Sequence, residues 1–319
     1  MTIGRIGIVG NQERSYTRET LALLLQKLGQ HFPGSTCALS EPMAELGIDA
    51  HCEVYRSLYD LARASDVIFS IGGDGTMLMV ARAIERANPV AKLIGVNVGK
   101  LGFLSEHPPE EIDRLLEELE SQSLVTEPRL MLNANVANES GDSVIVNRDN
   151  LDPAREGTMA PKVILNALNE VVVDNYGSTR MLTLEVFVNG ALLGVIRADG
   201  IMIATPTGST GYAISAGGPI VEPTSAIMLI TPIAPHSLSV RPIVVPETCS
   251  IVVRALSEET HRVLVVADGQ EQVIVHTPAK ITVRASPHRL QLLRRKERSY
   301  FDLLRNKLFW SADPRDARK

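Results

Sequence analysis

Short unbroken apolar runs alternate with stretches of period 3.6 through the first 126 residues. Residues 3–9 (IGRIGIV), Val67–Ile71 and Lys92–Asn97 read as buried strands, and a shorter one is expected near Ala50–Val54. Between them Leu21, Leu24, Leu25 and Leu28 recur at helical spacing, with Gly29 the expected stop. Leu58, Leu61 and Ala62 predict a second helix, and Met77, Val80, Ala81 and Ile84 a third over 76–87, broken by Asn88-Pro89. Pro108-Pro109-Glu110-Glu111 opens a fourth, with Ile112, Leu115, Leu116 and Leu119 on one face. Strands alternating with helices predict a doubly wound α/β N-terminal domain over 1–126, its ligand beyond the C-terminal strand ends.

The rhythm changes at Glu127-Pro128. Leu130, Leu132, Ala134 and Val136 alternate, as do Leu182, Leu184, Val186 and Val188 before Asn189-Gly190, a hairpin signal. Short apolar runs continue at 201–204, 227–230, 243–245, 251–253, 263–266, 273–275 and 281–283. A second, mostly β C-terminal domain is therefore expected over 127–298. Residues 138–162 are polar and read as a loop without assignable chemistry. Tyr300, Leu303, Leu304 and Leu308 predict a closing helix over 299–310 that packs back on the first domain.

Composition adds little to the fold and narrows the class. At 319 residues with 45% hydrophobic and 22% charged positions, two ordinary globular cores can form. A net charge of −5 argues against a general nucleic-acid binder, and Arg294, Arg295, Lys296 and Arg298 read as a solvated basic face. Cys37, Cys52 and Cys249 lack metal spacing and suit free thiols in a reducing compartment. The N-terminus has no signal-peptide pattern, and no segment has membrane-spanning length, so a cytoplasmic protein with no membrane partner is expected.

Candidate chemistry starts where the strand at 67–71 runs into Gly72-Gly73-Asp74-Gly75-Thr76. Glycines there permit unusual torsions and close ligand approach, and a helix start offers unpaired N–H groups to phosphate. An acidic side chain in such a site is costly unless it binds Mg²⁺ or accepts a proton from an attacking hydroxyl, which suggests phosphoryl transfer. The competing reading is a tight turn with Asp74 as helix cap. Residues 95–104 (GVNVGKLGFL) follow the next strand and open on the same sheet edge, with Phe103 offering a flat face to a base. Asn169-Glu170 pairs an amide with a carboxylate, suited to a ribose or an adenine edge. The run from Asp199 to Pro219 crowds glycines and small hydroxyls after an apolar strand, as a ligand-facing loop would.

Together GGDGT (72–76), GVNVGKLGFL (95–104), ALNEVVV (167–173), DGIMIATPTGSTGY (199–212), SAGGPIV (215–221) and the closing FDLLRNKLFW resemble the NAD kinase family over nearly the whole chain. The resemblance implies transfer of the γ-phosphoryl group of ATP, or of polyphosphate, to the 2′-hydroxyl of the adenosine ribose of NAD. It implies Asp74 as catalytic carboxylate, Gly72, Gly73, Gly75 and Thr76 at the phosphates, and Phe103 against adenine. Asn169 and Glu170 would contact the dinucleotide, Arg180 and Arg197 its phosphates, and Asp199 the acceptor, often across a subunit boundary. Thr210, Gly211, Tyr212, Ala213, Ile214 and Ser215 would wrap the adenosine, with Gln270 nearby. Mg²⁺ would be held through substrate phosphates, with no protein ligand assigned, and the expected assembly is a homodimer or homotetramer. Gly211 departs from the family's usual Ala. GGDGT alone also fits a lipid kinase, and the scaffold fits a non-catalytic NAD sensor, but the TPTGSTGY loop and the intact Asp74 favour the kinase.

Overall fold

The computed structural model describes residues 3–14, 16–48, 51–100, 102–141, 144–148, 159–176, 181–256 and 262–308. The chain divides into two compact units, one running to Pro128 and resuming at Leu290, the other spanning Arg129–Arg289. Relative to the boundaries read from sequence, the chain re-enters the first unit earlier, at Leu290 rather than at 299.

In the first unit β1 (Arg5–Gly10), α1 (Thr17–His31), β2 (Thr36–Ser40), the short α2 (Glu41–Ala44), β3 (Glu53–Tyr55), α3 (Leu58–Ala64), β4 (Val67–Gly72), α4 (Asp74–Ala87), β5 (Lys92–Asn97) and α5 (Ile112–Glu120) follow in order. The strands pair in parallel as β3-β2-β1-β4-β5. Strand alternation assigns the faces. Ile6 and Ile8 join Leu21, Leu24 and Leu28 of α1 and Leu115 and Leu119 of α5 in one core. Gly7, between them, turns the other way, where a Cβ would lie 2.5 Å from Ser65 Oγ and 2.8 Å from Leu61 Cδ2. That missing side chain lets α3 lie against the sheet. Gly29 does not end α1 as expected. It stays inside the helix, which closes when the Phe32 N–H donates to the Leu28 carbonyl.

The second unit is built from β6 (Val125–Asn138), β7 (Val144–Arg148), β8 (Met159–Ala160), β9 (Lys162–Ala167), β10 (Glu170–Asn175), β11 (Leu182–Val188), β12 (Ala191–Ala198), β13 (Gly200–Ala204), α6 (Tyr212–Ser215), β14 (Ile227–Ile233), β15 (Ile243–Pro246), β16 (Ile251–Leu256), β17 (Arg262–Ala267), β18 (Glu271–His276) and β19 (Ala279–Arg294). One sheet runs β15-β14-β13-β10-β17-β18-β7-β8; in the other, β12, β11, β16 and β19 are successive neighbours, with β6 and β9 alongside. Alternate residues of both sheets, among them Val171, Val173, Ile201, Ile203, Leu184, Val253 and Ile281, meet in one core. On the other face of the first sheet Val172, Met202, Ala204 and Leu229 receive Ala213 of α6. Asn189 and Gly190 take φ of 51° and 82°, the left-handed torsions the predicted hairpin requires. The 138–162 segment is not wholly a loop: β7 pairs with β18, and β8 with β7. Val144-Ile145-Val146 is too short an apolar run to stand out among polar neighbours.

Gln291 and Leu292, at the end of β19, pair in parallel with Lys92 and Leu93, and α7 (Tyr300–Leu308) closes the described chain with Leu303 buried. Here three of the four basic residues depart from the reading as a solvated face, while Lys296 is exposed as that reading expects. Arg294, 3% exposed, donates to both oxygens of Glu106, itself 2% exposed, at 3.0 and 2.9 Å, and to Glu127. Arg295 pairs with Glu111 and Glu118, and Arg298 with Glu111. No helix among the described residues is long and apolar enough to cross a membrane.

Replacing Arg294 by Met leaves the Glu106 carboxylate buried without its guanidinium. The expected loss is ~3–5 kcal/mol in urea unfolding, with much of it recovered by the double change Arg294→Met and Glu106→Met.

Candidate active site

The site residues fall into two clusters, one in each unit. In the first, Asp74 is the opening residue of α4, directly after β4 and the N-cap Gly73. Its Oδ1 accepts the N–H groups of Leu104 at 3.1 Å and Ser105 at 3.0 Å and the Ser105 hydroxyl at 3.1 Å. Its Oδ2 accepts the Phe103 N–H at 2.7 Å. The loop after β5 is thus closed onto the carboxylate. Asn97, buried at the end of β5, secures the same loop. Its amide donates to the carbonyls of Lys100 and Ser105, and its oxygen accepts the Gly99 N–H at 2.7 Å.

Gly72 and Gly102 of this corner serve space, not torsion, whereas a Cβ on Gly73 would meet nothing within 4 Å. None of Gly72, Gly73 and Gly75 has positive φ, against the sequence expectation of unusual torsions. A Cβ on Gly72 would stand 2.4 Å from Thr76 Oγ1, and one on Gly102 only 1.8 Å from Asp74 Oδ1. Phe103, half-buried, carries the Tyr300 ring at 6.5 Å between centroids and the Lys307 ammonium 4.5 Å above its own ring.

In the second cluster Asn169 and Glu170 sit where β9 turns into β10. Asp268, in the β17–β18 turn with φ 52°, accepts the N–H groups of Leu168 at 3.0 Å, Asn169 at 2.7 Å and Glu170 at 3.3 Å. Gln270 lies in that same turn. Thr205 ties the next strand in, donating its hydroxyl to the Leu168 carbonyl at 2.6 Å and its N–H to the Asn169 carbonyl at 2.8 Å. A Cβ on Gly208 would meet the Asn169 carbonyl oxygen at 2.1 Å. The chain then passes Thr210 and Gly211 into α6, where Ala213 is buried, Ile214 half-buried, and Tyr212 and Ser215 exposed.

Glu170 is 7% exposed, and its Oε2 has no hydrogen-bond partner among the described residues. Burial pushes its carboxyl up to about 8; the charge of Asp268 adds to this, and the Tyr212 N–H opposes it. A buried oxygen left without a protein partner is open to a water or to a ligand's hydroxyl.

Arg197 and Asp199 are not brought to this cluster. Glu170 pairs with Ala204 at one end of β13, whereas both residues are exposed where the chain enters its other end, at Gly200. Arg180 lies outside the described residues. Sequence reasoning passed over Asn97, Asp268 and Lys307. Asp268-Gly269 between two alternating runs did signal a hairpin, but nothing in the string links its carboxylate to residues some hundred positions earlier.

A raised carboxyl binds a proton in the folded chain that the unfolded chain has released. Its contribution is full below about 4.5 and is lost as pH rises towards about 8. Urea unfolding from pH 5 to 9 should therefore show Glu170→Gln gaining stability relative to the parent across that interval. A gap independent of pH would contradict the raised carboxyl.

Residues 6–124 match the family model for the ATP-NAD kinase N-terminal domain and residues 168–295 that for the ATP-NAD kinase C-terminal domain. The NAD kinase of Halorhodospira halophila is 36% identical over 310 residues, covering 97% of this chain and 93% of that one. That of Cellvibrio japonicus is 32% identical over 312 residues, covering 97% and 96%. Among solved structures, yeast NADH kinase complexed with NADH shares the fold with a TM-score of 0.85 at 22% identity, covering 98% of this chain and 89% of that one. An NAD kinase from Archaeoglobus fulgidus in complex with ATP gives 0.67 at 25% identity, covering 96% and 98%. Domain models matched in order, and relatives aligned almost end to end, put the chain in the NAD kinase family, the enzymes that phosphorylate NAD to NADP at the expense of ATP.

Proposed function

We propose that, in moving the γ-phosphoryl group of ATP to the 2′-hydroxyl of the adenosine ribose of NAD, Asp74 is the general base. The observation that carries this is the asymmetry of its carboxylate. Among the described residues three donors fill Oδ1, while Oδ2 takes only the Phe103 N–H and keeps a lone pair for a substrate hydroxyl. The same bonds fix its direction, and a positioned base supplies ~10²–10⁴-fold in rate. The start of α4 and Gly72, Gly73, Gly75 and Thr76 around it suit phosphate oxygens. The orphan Oε2 of Glu170 suits a ribose hydroxyl, with Asn169, Gln270 and the 210–215 segment around it.

Among the described residues no cluster of three metal-ligating side chains occurs. Mg²⁺ would accompany the nucleotide phosphates near Asp74. Bound there it would neutralise charge on the phosphoryl group in transfer. Exposed Leu192, Leu193 and Val195 on the edge strand β12 support a homodimer or homotetramer. Asp199 would then serve an acceptor held by a neighbouring subunit.

The decisive variant is Asp74→Asn. Purified protein is supplied with NAD, ATP and Mg²⁺, and NADP is read by an NADP-specific dehydrogenase, with polyphosphate and NADH as parallel arms. We expect kcat to fall at least ~10²-fold with NAD affinity within about threefold of the parent. Near-normal kcat would refute the base role. Thermal unfolding is recorded alongside, because the new amide faces the Phe103 N–H.

A further inference from the structure

Lys307 is a half-buried cation with no ion-pair partner among the described residues, and it stands at the Asp74 corner. The helix that carries it is anchored by buried Leu303 and by Tyr300, whose ring lies 6.5 Å from that of Phe103. The ammonium rests 4.5 Å from the Phe103 ring centre. The backbone N–H of that same Phe103 holds Asp74 Oδ2. Burial lowers the ammonium's pKa, and the negative charge of Asp74 works against that.

A half-buried ammonium that pairs with no carboxylate among the described residues has the Phe103 ring as its recorded contact, and so it is placed to take up an anion that arrives later. The corner also has an electrostatic problem of its own: phosphate entering beside Asp74 meets like charge. A flexible four-carbon stem can carry its cation from a ring face to a phosphate oxygen without moving the helix. We propose that Lys307 is a positioning residue for the dinucleotide substrate: its ammonium pairs with a phosphate oxygen of NAD at the Asp74 corner and leaves the Phe103 face to the adenine. The proposal rests on the reading of this corner as the phosphate site. Lys307 then offsets the repulsion that Asp74 imposes and moves no proton.

Titration calorimetry without ATP, so that no turnover occurs, separates this from a merely structural role. The full-length protein and its Lys307→Met and Lys307→Arg variants are titrated with NAD and with adenosine, which has the base and ribose but no phosphate. For Lys307→Met we expect NAD affinity to fall ~10-fold or more, the loss of a charge-assisted bond, with adenosine affinity held or raised. Lys307→Arg should recover most of the NAD affinity. Equal losses for NAD and adenosine would make α7 a structural strap and overturn the proposal, as would unchanged NAD affinity in Lys307→Met. Arginine failing to rescue would overturn it too. Because the titrations read binding alone, they stand apart from the turnover of Asp74→Asn, whose survival would refute only the base role.

Discussion

The four hydrogen bonds that close the 103–105 segment onto Asp74 are the constraint from which the rest of the first unit's site follows. A carboxylate at the start of a helix would ordinarily cap its own first turn. Here it is taken up by the loop of the neighbouring strand, so the turn after β4 and the loop after β5 become one rigid corner. Asn97 holds the same loop from β5, and Gly102 clears the space that the carboxylate needs. Phe103 is then fixed in place through its own backbone, and whatever stacks on its ring is registered against Asp74.

The second unit uses the same device with other residues. Asp268 gathers the N–H groups of 168–170 as Asp74 gathers those of 103–105, and Glu170 is delivered to its buried position by that grip. The two acids that follow from these grips meet opposite surroundings. Asp74 is surrounded by donors, which fix its orientation. Glu170 has lost water and faces the charge of Asp268, so its carboxyl holds its proton up to about 8. One acid is thus oriented by donors, and the other is held in a dry pocket.

The strand and helix rhythm of the sequence anticipated most elements, because the cores they feed follow periods of 3.6 and 2. Asp74, Phe103, Asn169 and Glu170 were legible because each follows an apolar strand at a sheet end. What escaped the string is pairing across long separations. Nothing local distinguishes Arg294 and Arg295 from a solvated basic patch. Their partners Glu106, Glu111, Glu118 and Glu127 are scattered through a distant stretch, and only the return of β19 beside β5 brings them together. Asp268 and Lys307 escaped for the same reason. The outcome for Gly29 differs: a glycine is a helix stop only if the chain can turn there, and the Phe32 bond to Leu28 carried the helix past it.

The glycines themselves show why a motif can be recognised correctly and explained wrongly. Torsional freedom is the usual argument for a run such as GGDGT, yet its glycines keep ordinary torsions. What Gly72, Gly102 and Gly208 share is a neighbour standing inside the volume of a side chain: Thr76, Asp74 and the Asn169 backbone respectively. All three neighbours belong to the candidate site. Gly211 fits the same logic less severely. A methyl there would come within 3.2 Å of the orphan oxygen of Glu170 and 3.3 Å of the Asn169 amide. An alanine there would put that methyl into the space beside the Glu170 carboxyl. Here the space stays open, and the acid's environment is set by burial, by Asp268 and by the Tyr212 N–H.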